Sequence, residues 1–321
     1  MDSSYLLEIL VLAVAPSLFL LWFFYTRDKY EREPKRLVAK TFAYGLLSPI
    51  LAFPLELFGG SIIPQSDYLP TLFLHVLLVV GLTEEGVKLI CVRLAAYRSN
   101  AFNEVMDGIV YTAAAALGFA TVENVLYALT RGLGATLIRA VTSVPGHALL
   151  GGIMGYYVGA AKFTPSKETD LTLEGLVIAM ILHGLYDFVI FAFPTPWNLS
   201  LTVLLLISMA VILRQLMNKA ELQSPFGKWL IPRTPAIMEP KLSCATCGRP
   251  LVFAQNYQKW YCYGCMAYKS DPSDFIWYTL PQSTVYPIRA VGDLTKRCAN
   301  CGAEIPSGVA YCQMCGTKQM T

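Results

Sequence analysis

The chain has 321 residues, of which 55% are hydrophobic and 15% are charged, and its mean hydropathy is +0.48. This balance is typical of a multi-span membrane protein with a polar appendage and excludes an ordinary soluble globular domain. The formal net charge of +3 is too small to indicate nucleic-acid binding, so no nucleic-acid partner is expected.

Seven apolar stretches are long enough to cross a bilayer, because a helix needs about 20 apolar residues to do so. The first stretch lacks a basic region before it and a small-residue cleavage site after it, so we interpret it as a retained span. Prolines interrupt the second and fifth stretches, at Pro49, Pro54 and Pro145, which membrane helices tolerate when neighbouring groups satisfy the freed carbonyls. The predicted spans are 5–25, 37–58, 69–92, 105–128, 134–161, 172–193 and 199–217.

Basic residues are concentrated in alternate loops, and this asymmetry predicts the orientation of the spans. The loops 59–68 and 194–198 contain no Lys or Arg, and the loop between the fourth and fifth spans contains only Arg131. We therefore expect a multi-pass cell-membrane protein with its N-terminus outside and its C-terminal tail in the cytoplasm. The basic residues on the other side are Arg27, Lys29, Arg32, Lys35, Arg36, Arg93, Arg98, Lys162, Lys167, Lys219, Lys228 and Arg233.

The third predicted span contains three ionisable residues within a stretch of five positions: Glu84, Glu85 and Lys88. A charged side chain at mid-bilayer costs about 2.5–3.5 kcal/mol, so these groups should face a protein interior or a wet cavity. On a helix, Lys88 lies four residues after Glu84 and three after Glu85, so it can contact both. One lysine can neutralise one carboxylate, which leaves the other carboxylate free to take part in a reaction. A structural ion pair between helices is the alternative interpretation.

The next three spans contain further polar residues near the middle of the membrane. Two histidines at similar depth on separate spans favour a shared site over two unrelated polar links between helices. Asp107, at the start of the fourth span, is 16 residues from Glu123, or about 24 Å on a helix, and is not expected at the same centre. The polar residues are Glu123 and Asn124 in the fourth span, His147 in the fifth, and His183 with Asp187 in the sixth.

Carboxylate and imidazole groups together permit two kinds of peptide hydrolysis. A buried glutamate can act as a general base on water, while histidines position that water or hydrogen-bond a developing oxyanion. Glu84, His147 and His183 could instead bind a catalytic zinc ion, although no H-E-x-x-H motif is present. A non-enzymatic sensor or scaffold and a proton-coupled transporter are two further alternatives, and no inverted repeat supports the transporter.

Eight of the nine cysteines form two quartets behind a linker that contains four prolines. The spacings C-x2-C-x14-C-x2-C and C-x2-C-x10-C-x2-C are typical of closed structural zinc sites. Disulfides are not expected, because the cytoplasm is reducing. We therefore predict one structural zinc ion per quartet and no catalytic metal. The quartets are Cys244, Cys247, Cys262 and Cys265, and Cys298, Cys301, Cys312 and Cys315.

The sequence thus predicts an all-α polytopic membrane bundle of about seven spans, followed by small β-rich zinc-ribbon modules. The bundle occupies residues 1–217 and the linker 218–243. The first ribbon occupies 244–268, a connecting segment 269–297 and the second ribbon 298–321.

Four segments in order resemble the PrsW family of intramembrane proteases: TEEGVKL, NEVMDGIVYTAAAALGFATVENVLY, the Arg139–His147 stretch with GHALLGGIMGYYVG, and LHGLYDF. This family is similar in its motifs to the clan of CAAX prenyl endopeptidases and Abi proteins. The resemblance covers roughly residues 70–195. The chain departs from the clan in two places: E-E-x-x-K replaces E-E-x-x-x-R, as in PrsW-like chains, and Ser143 replaces a phenylalanine.

The resemblance implies a glutamate-type endopeptidase that cleaves membrane proteins or membrane-proximal peptide segments. Glu84 and Glu85 match its paired glutamates, His147 its middle histidine, and His183 with Asp187 its H-x-x-x-N/D element. In the clan, a glutamate and a histidine activate water, and the last element helps to hold the oxyanion.

On this basis we expect Glu84 to be the base and His147 to be its partner. Glu85 would form an ion pair with Lys88, although the two glutamates could exchange roles. Lys88, Glu123 and Asn124 are the predicted supporting residues. The expected partners are the lipid bilayer, a membrane-protein substrate and a cytoplasmic protein that binds the ribbons.

Overall fold

The computed structural model describes residues 3–226 without interruption and the tail in short segments. The described tail residues are 242–249, 251–254, 259–262, 265, 267–269, 275–277, 295–297 and 304–306. The chain divides into two compact units, Met1–Tyr278 and Thr279–Thr321.

Residues 3–226 are helical apart from short connections. A π-helical turn, His75–Gly81, lies between α4 and α5, and a 3-10 turn, Pro165–Lys167, precedes α8. The helices are α1 Ser3–Arg27, α2 Lys35–Leu47, α3 Pro49–Ile62, α4 Leu69–Leu74, α5 Leu82–Ala95, α6 Val105–Val141, α7 Ser143–Phe163, α8 Glu168–Ala192 and α9 Trp197–Gln223.

The predicted helical membrane bundle is confirmed. Among the described residues, five helical stretches are long and apolar enough to cross a membrane. One of them, Val105–Phe163, has 59 residues and would extend about 88 Å as a single helix, nearly three times the thickness of a bilayer core. It consists of α6 and α7, which pack side by side. Because it counts as two spans, the five stretches supply six. The helical stretch 69–95 supplies the seventh, and each of the seven segments overlaps one predicted span.

The predicted connection between the fourth and fifth spans, at 129–133, coincides with a break in α6. Gly132 is not helical, with φ of 77° and ψ of −168°, and two helical segments meet there at a kink. A second break follows at Thr142, and α7 begins at Ser143. Pro145 therefore falls in the first turn of α7, where a missing N–H leaves no helical carbonyl without a partner.

Helix α6 is the centre of the bundle, and every residue from 105 to 121 is buried. It packs against α1, α2 and α7, and small residues allow the close approach. Gly108 of α6 lies against Gly155 and Gly159 of α7, while Gly118 lies against Phe42 and Gly45 of α2. In lipid, such backbone contacts supply much of the packing between helices. The first half of α6 is therefore held from several sides.

Short antiparallel strands follow the helices. In the first unit, β2 (Leu251–Ala254), β3 (Lys259–Cys262) and β4 (Ala267–Lys269) form a three-stranded sheet, and β1 (Leu242–Cys244) pairs with β5 (Phe275–Trp277). In the second unit, β6 (Thr295–Arg297) pairs with β7 (Glu304–Pro306). The predicted β-rich tail is confirmed.

Candidate active site

The paired glutamates lie directly after the π-helical turn, in the first turn of α5. A π-turn holds one extra residue, so it changes the direction of the side chains that follow, and such turns are frequent at functional sites. Two glycines bring α8 close to this turn. Gly81 lies against the carbonyl of Met180, and Gly184 lies against the backbone of Leu77. The histidine next to Gly184 is thereby placed beside the glutamates.

Lys88 forms the centre of the polar cluster, and its side chain has no exposed surface. Its ammonium nitrogen Nζ lies 2.7 Å from Glu85 Oε1 and 3.1 Å from Glu84 Oε2. The same nitrogen lies 2.9 Å from Nδ1 of His147 on α7. The ring of Phe119 packs beneath it, with 4.4 Å between Nζ and the ring centroid. One cation thus contacts both carboxylates and one imidazole, as an ammonium with three donors can do.

His183 on α8 contacts both glutamates from the other side. Its Nδ1 lies 2.8 Å from Glu85 Oε1, and its Nε2 lies 3.8 Å from Glu84 Oε2. Asp187, one turn later, has its Oδ2 3.6 Å from the same Nε2. Because a carboxylate only accepts, Nδ1 of His183 donates to Glu85, and Nε2 is the ring nitrogen directed towards Glu84 and Asp187.

His147 has a hydrogen-bond partner at each ring nitrogen. Lys88 donates to Nδ1, so the proton of the neutral ring is on Nε2, which donates to Glu123 Oε2 at 2.8 Å. Glu123 also pairs with Arg139, whose Nη2 lies 2.8 Å from the same oxygen. The two imidazole rings of His147 and His183 are 5.4 Å apart and nearly perpendicular. A chain of contacts therefore runs from Arg139 to Lys88.

The two glutamates differ in their access to the surroundings. The side chain of Glu85 has 0% exposed surface, and its Oε1 receives hydrogen bonds from both Lys88 and His183. The side chain of Glu84 keeps 8% of its surface exposed. Within the described residues it accepts one hydrogen bond, from Lys88 to Oε2. Glu84 is the carboxylate with freedom to bind a further molecule.

Most of the predicted site residues come together in this cluster. Glu84, Glu85 and Lys88 meet His147 and His183, and Asp187 and Glu123 lie at its edge. Asn124 does not join them, because its side chain donates to the carbonyl oxygen of Ala13 at 2.9 Å and so links α6 to α1. The predicted separation of Asp107 from Glu123 is also observed, since Asp107 lies at the first turn of α6.

Two residues of the cluster were not among the predicted site residues. Arg139 bridges Glu123 and Ser143, with 2.8 Å from its Nη2 to the Ser143 hydroxyl. Its position in an apolar stretch could have indicated a functional site by the rule applied to Glu84. Glu56 on α3 has a buried oxygen without a hydrogen-bond partner among the described residues, and its charge interacts with those of Glu84 and Glu123. Glu56 lies in the predicted span 37–58, so the same rule could have indicated it.

Among the described residues, two groups of side chains have the composition of a zinc site. Glu84, Glu85, His147 and His183 each offer one ligand atom within 4.8 Å of the others. Carboxylate and imidazole are ordinary zinc ligands, so the donor set itself fits. The ammonium of Lys88, however, contacts three of these four residues and supplies the positive charge between them. A metal ion bound to all four would have to displace it.

The first cysteine quartet is arranged as a four-sulfur metal site. Cys244 Sγ lies 3.6 Å from Cys265 Sγ, and Cys247 Sγ lies 3.3 Å from Cys262 Sγ. Sulfurs that are each 2.3 Å from one zinc ion are about 3.8 Å apart in a tetrahedron, whereas a disulfide is about 2 Å long. Gly248 takes a left-handed φ of 72°, which closes the first knuckle. The second quartet, Cys298, Cys301, Cys312 and Cys315, lies outside the described residues.

Comparison with known families agrees with both parts of the chain. Residues 33–214 match the family described as "PrsW family intramembrane metalloprotease". Residues 297–319 match a family described as "zinc-ribbon domain". No solved structure matches the chain.

Curated relatives of the chain carry the name "Protease PrsW". The protein from Geobacillus kaustophilus is 38% identical over 179 residues, which are 56% of this chain and 78% of the relative. The Bacillus subtilis protein is 38% identical over 181 residues, 56% of this chain and 81% of the relative. The Oceanobacillus iheyensis protein is 36% identical over 217 residues, 67% of this chain and 98% of the relative.

Proposed function

The chain belongs to the PrsW family of intramembrane proteases, and we propose that it hydrolyses peptide bonds of membrane proteins with a water molecule activated by Glu84. The observation that supports this choice of base is the difference between the two glutamates. Glu85 is fully buried and held by Lys88 and His183, whereas Glu84 keeps exposed surface and accepts a single hydrogen bond. A general base must reach the proton it removes, so the accessible carboxylate is the better candidate.

The reaction would start with a water molecule beside Glu84. Glu84 removes a proton from that water as its oxygen attacks the peptide carbonyl, and the proton then passes to the leaving nitrogen. The tetrahedral intermediate carries a negative oxygen, which hydrogen-bond donors placed in advance can stabilise. We assign this task to Nε2 of His183 in the protonated ring, with Asp187 3.6 Å away to favour that form.

The remaining residues hold this arrangement in place. Lys88 compensates the charges of Glu84 and Glu85, and His147 fixes the position of Lys88 by accepting from it. Glu123 sets the protonated nitrogen of His147, and Arg139 compensates the charge of Glu123. His147 therefore supports Glu84 through Lys88, since its Nδ1 is 4.0 Å from Glu84 Oε2.

A zinc-dependent mechanism is the second candidate, and the donor set of the cluster favours it. Glu84, Glu85, His147 and His183 would hold the ion. A bound zinc ion would supply a Lewis acid and lower the pKa of its water. The position of Lys88 among these donors is our reason for preferring the metal-free mechanism.

Substitution of each glutamate tests the choice of base. Glu84→Gln keeps the size of the side chain and removes the base, so cleavage should fall by about 10²–10⁴-fold. Glu85→Gln should reduce cleavage less. The measurement is a comparison of membrane-protein fragments in cells that express each variant. Glu174→Gln, an exposed glutamate on α8, is the matched control. Cleavage retained in both Glu84→Gln and Glu85→Gln would refute the mechanism.

The zinc content of the purified full-length protein separates the two mechanisms. We expect two zinc ions per chain, one in each cysteine quartet, and the same content in His147→Ala. A third zinc ion that is lost in His147→Ala and is required for cleavage would establish the metal-dependent mechanism instead.

The tail is proposed to face the cytoplasm and to bind a protein partner there. The closed cysteine sites leave no open ligand position for chemistry, so their role is to fold the ribbons. The first ribbon already contacts the bundle, because Tyr268 donates to the carbonyl oxygen of Asn103 at 2.6 Å. A partner bound to the tail would therefore act next to the loop that precedes α6.

A further inference from the structure

A second group of buried acidic side chains lies at the other end of α6, far from the glutamate cluster. Asp28 and Glu33 belong to the loop between α1 and α2, and Glu104 and Asp107 to the start of α6. Their exposed fractions are 1%, 3%, 1% and 0%, respectively. Because Asp107 is about 24 Å along the helix from Glu123, the group is separate from the proposed active site.

Within the described residues, none of these four carboxylates forms an ion pair with Lys, Arg or His. The two lysines near them have other partners. Lys29 pairs with Glu221 at 2.8 Å, and Lys162 donates to the carbonyl oxygens of Tyr97 and Ser99. Buried acids are normally paired or bound to a metal. Lys162 attracts Asp107 and Glu33 electrostatically, but among the described residues no cationic side chain is in direct contact with these carboxylates.

One oxygen of each aspartate is held by the backbone, and the other has no donor among the described residues apart from a neighbouring carboxyl group, Glu33 beside Asp107 and Glu104 beside Asp28. Asp107 Oδ2 accepts from the backbone N–H of Asn103 at 2.5 Å and of Glu104 at 2.8 Å, which leaves Oδ1 buried and unpaired. Asp28 Oδ1 accepts from the N–H of Glu31, and its Oδ2 is likewise buried and unpaired. Each aspartate is thus held in a fixed orientation, with one buried oxygen that lacks a hydrogen-bond donor other than that carboxyl group.

A neutral side chain at the same place has an unpaired oxygen as well. Asn103 is 3% exposed, and its amide nitrogen donates to Glu31 Oε2 at 2.9 Å and to the hydroxyl of Tyr261 at 2.6 Å. Its carbonyl oxygen Oδ1 is buried and lacks a hydrogen-bond partner within the described part of the chain. Asn103 belongs to the same group, since its backbone N–H donates to Asp107 Oδ2, and its buried amide oxygen needs a donor or a cation that the carboxyl groups around it do not supply when ionised.

We propose that this group binds a hard divalent cation such as Ca²⁺, Mg²⁺ or Mn²⁺, with Asp28, Glu104 and Asp107 as ligands. Their ligand atoms lie within 4.8 Å of one another. All of the donors are oxygens, which these cations prefer, whereas zinc and copper favour sites with nitrogen or sulfur. The amide oxygen of Asn103 is available as a fourth protein ligand.

Protonation is the competing way to remove the charge. Burial raises the pKa of Asp28 to about 7 and that of Glu33 to about 8, so both can hold protons near neutral pH. Protons shared between Asp28 and Glu104 and between Glu33 and Asp107 would satisfy carboxyl oxygens, but they would leave Asn103 Oδ1 unpaired. A cation with several ligand positions satisfies all of them together.

Binding of Mn²⁺ to the zinc-loaded full-length protein in a neutral detergent tests the site, with Mn²⁺ followed by electron paramagnetic resonance. We expect one saturable Mn²⁺ per chain, displaced by Ca²⁺ or Mg²⁺. Asp28→Asn and Asp107→Asn preserve shape and remove charge, and each should weaken binding at least tenfold. Asp170→Asn, an exposed aspartate, and Glu84→Gln should bind as the unaltered protein does.

The unfolding temperature with and without the cation is a second measurement, which still tests the site if one variant folds poorly. The cation should raise the unfolding temperature of the unaltered protein but not that of Asp28→Asn. Absence of saturable binding, or equal binding in Asp28→Asn and Asp107→Asn, would overturn the proposal and indicate protonated acids. Loss of the ion in Glu84→Gln alone would assign it to the active site instead.

Discussion

At the scale of single residues, the charge balance of the glutamate cluster depends on Lys88. Its ammonium group is fully buried and contacts Glu84, Glu85 and His147. Removing one partner of a buried ion pair is far more costly than removing both, because the other charge is left without compensation. Lys88 is therefore expected to be a structural requirement of the bundle and not only an accessory to catalysis.

Lys88→Met should destabilise the protein by about 3–5 kcal/mol, because two buried carboxylates lose their cation. The measurement is thermal unfolding of the full-length protein in detergent. Lys29→Met is the control, since this lysine is 55% exposed in its pair with Glu221 and should cost about 0–1 kcal/mol. Equal unfolding temperatures for the two variants would contradict the central position of Lys88.

The sequence predicted the main polar residues of the cluster because each is an ionisable group inside an apolar span. Glu84, Glu85 and His183 were found in this way, and the structure places them in contact. Glu56 was missed because it lies alone between prolines, where its direction depends on how α3 packs. Asn124 was expected to support the site, and it links α6 to α1 instead. Side-chain direction in a bundle is set by neighbouring helices, which one sequence does not specify.

At the scale of helices, the contact between α8 and the π-helical turn places His183. Gly184 follows His183 directly, and a Cβ atom at this position would lie 2.9 Å from the Cα of Leu77. Since that neighbour is backbone, it cannot rotate away. The absence of a side chain at 184 is therefore a condition for the contact between His183 and Glu85.

Gly184→Ala should lower both stability and cleavage, because α8 must shift away from the glutamates. Overpacking of this kind costs about 1–3 kcal/mol. Gly86→Ala is the matched control: Gly86 follows Glu85 directly, and a Cβ atom there meets no other atom within 4 Å. Unfolding temperature and cleavage are measured together. A Gly184→Ala protein with the properties of Gly86→Ala would show that the helices tolerate the extra atom.

The sequence predicted the helices well and their ends less well. Length and apolarity are local properties, so the spans followed from composition. The kink at Gly132 falls in the predicted connection 129–133, whereas the second break, at Thr142, was not predicted. The π-helical turn before Glu84 was also not predicted, since no sequence pattern distinguishes it from an α-helix with the same apolar residues.

At the scale of the whole molecule, contacts between loops show which ends of the helices lie together. Lys29 after α1 pairs with Glu221 near the end of α9, and Arg93 near the end of α5 pairs with Glu168 at the start of α8. Lys162 near the end of α7 reaches Tyr97. These are the loops in which the sequence has its basic residues, and the first ribbon rests on the same end through Asn103.

The positive-inside rule then predicts that this end, with the zinc ribbon, faces the cytoplasm. Alkaline phosphatase is active only outside the cytoplasm, so a fusion after Thr321 should be inactive and a fusion after Gln65, in the loop without basic residues, should be active. Green fluorescent protein at the same two positions should give the reverse pattern. Because the four basic loops are joined by ion pairs and hydrogen bonds at one end, they must share a side. An active phosphatase after Thr321 would therefore show that the whole bundle has the opposite orientation. The acidic group around Asp107 would then lie outside the cytoplasm as well.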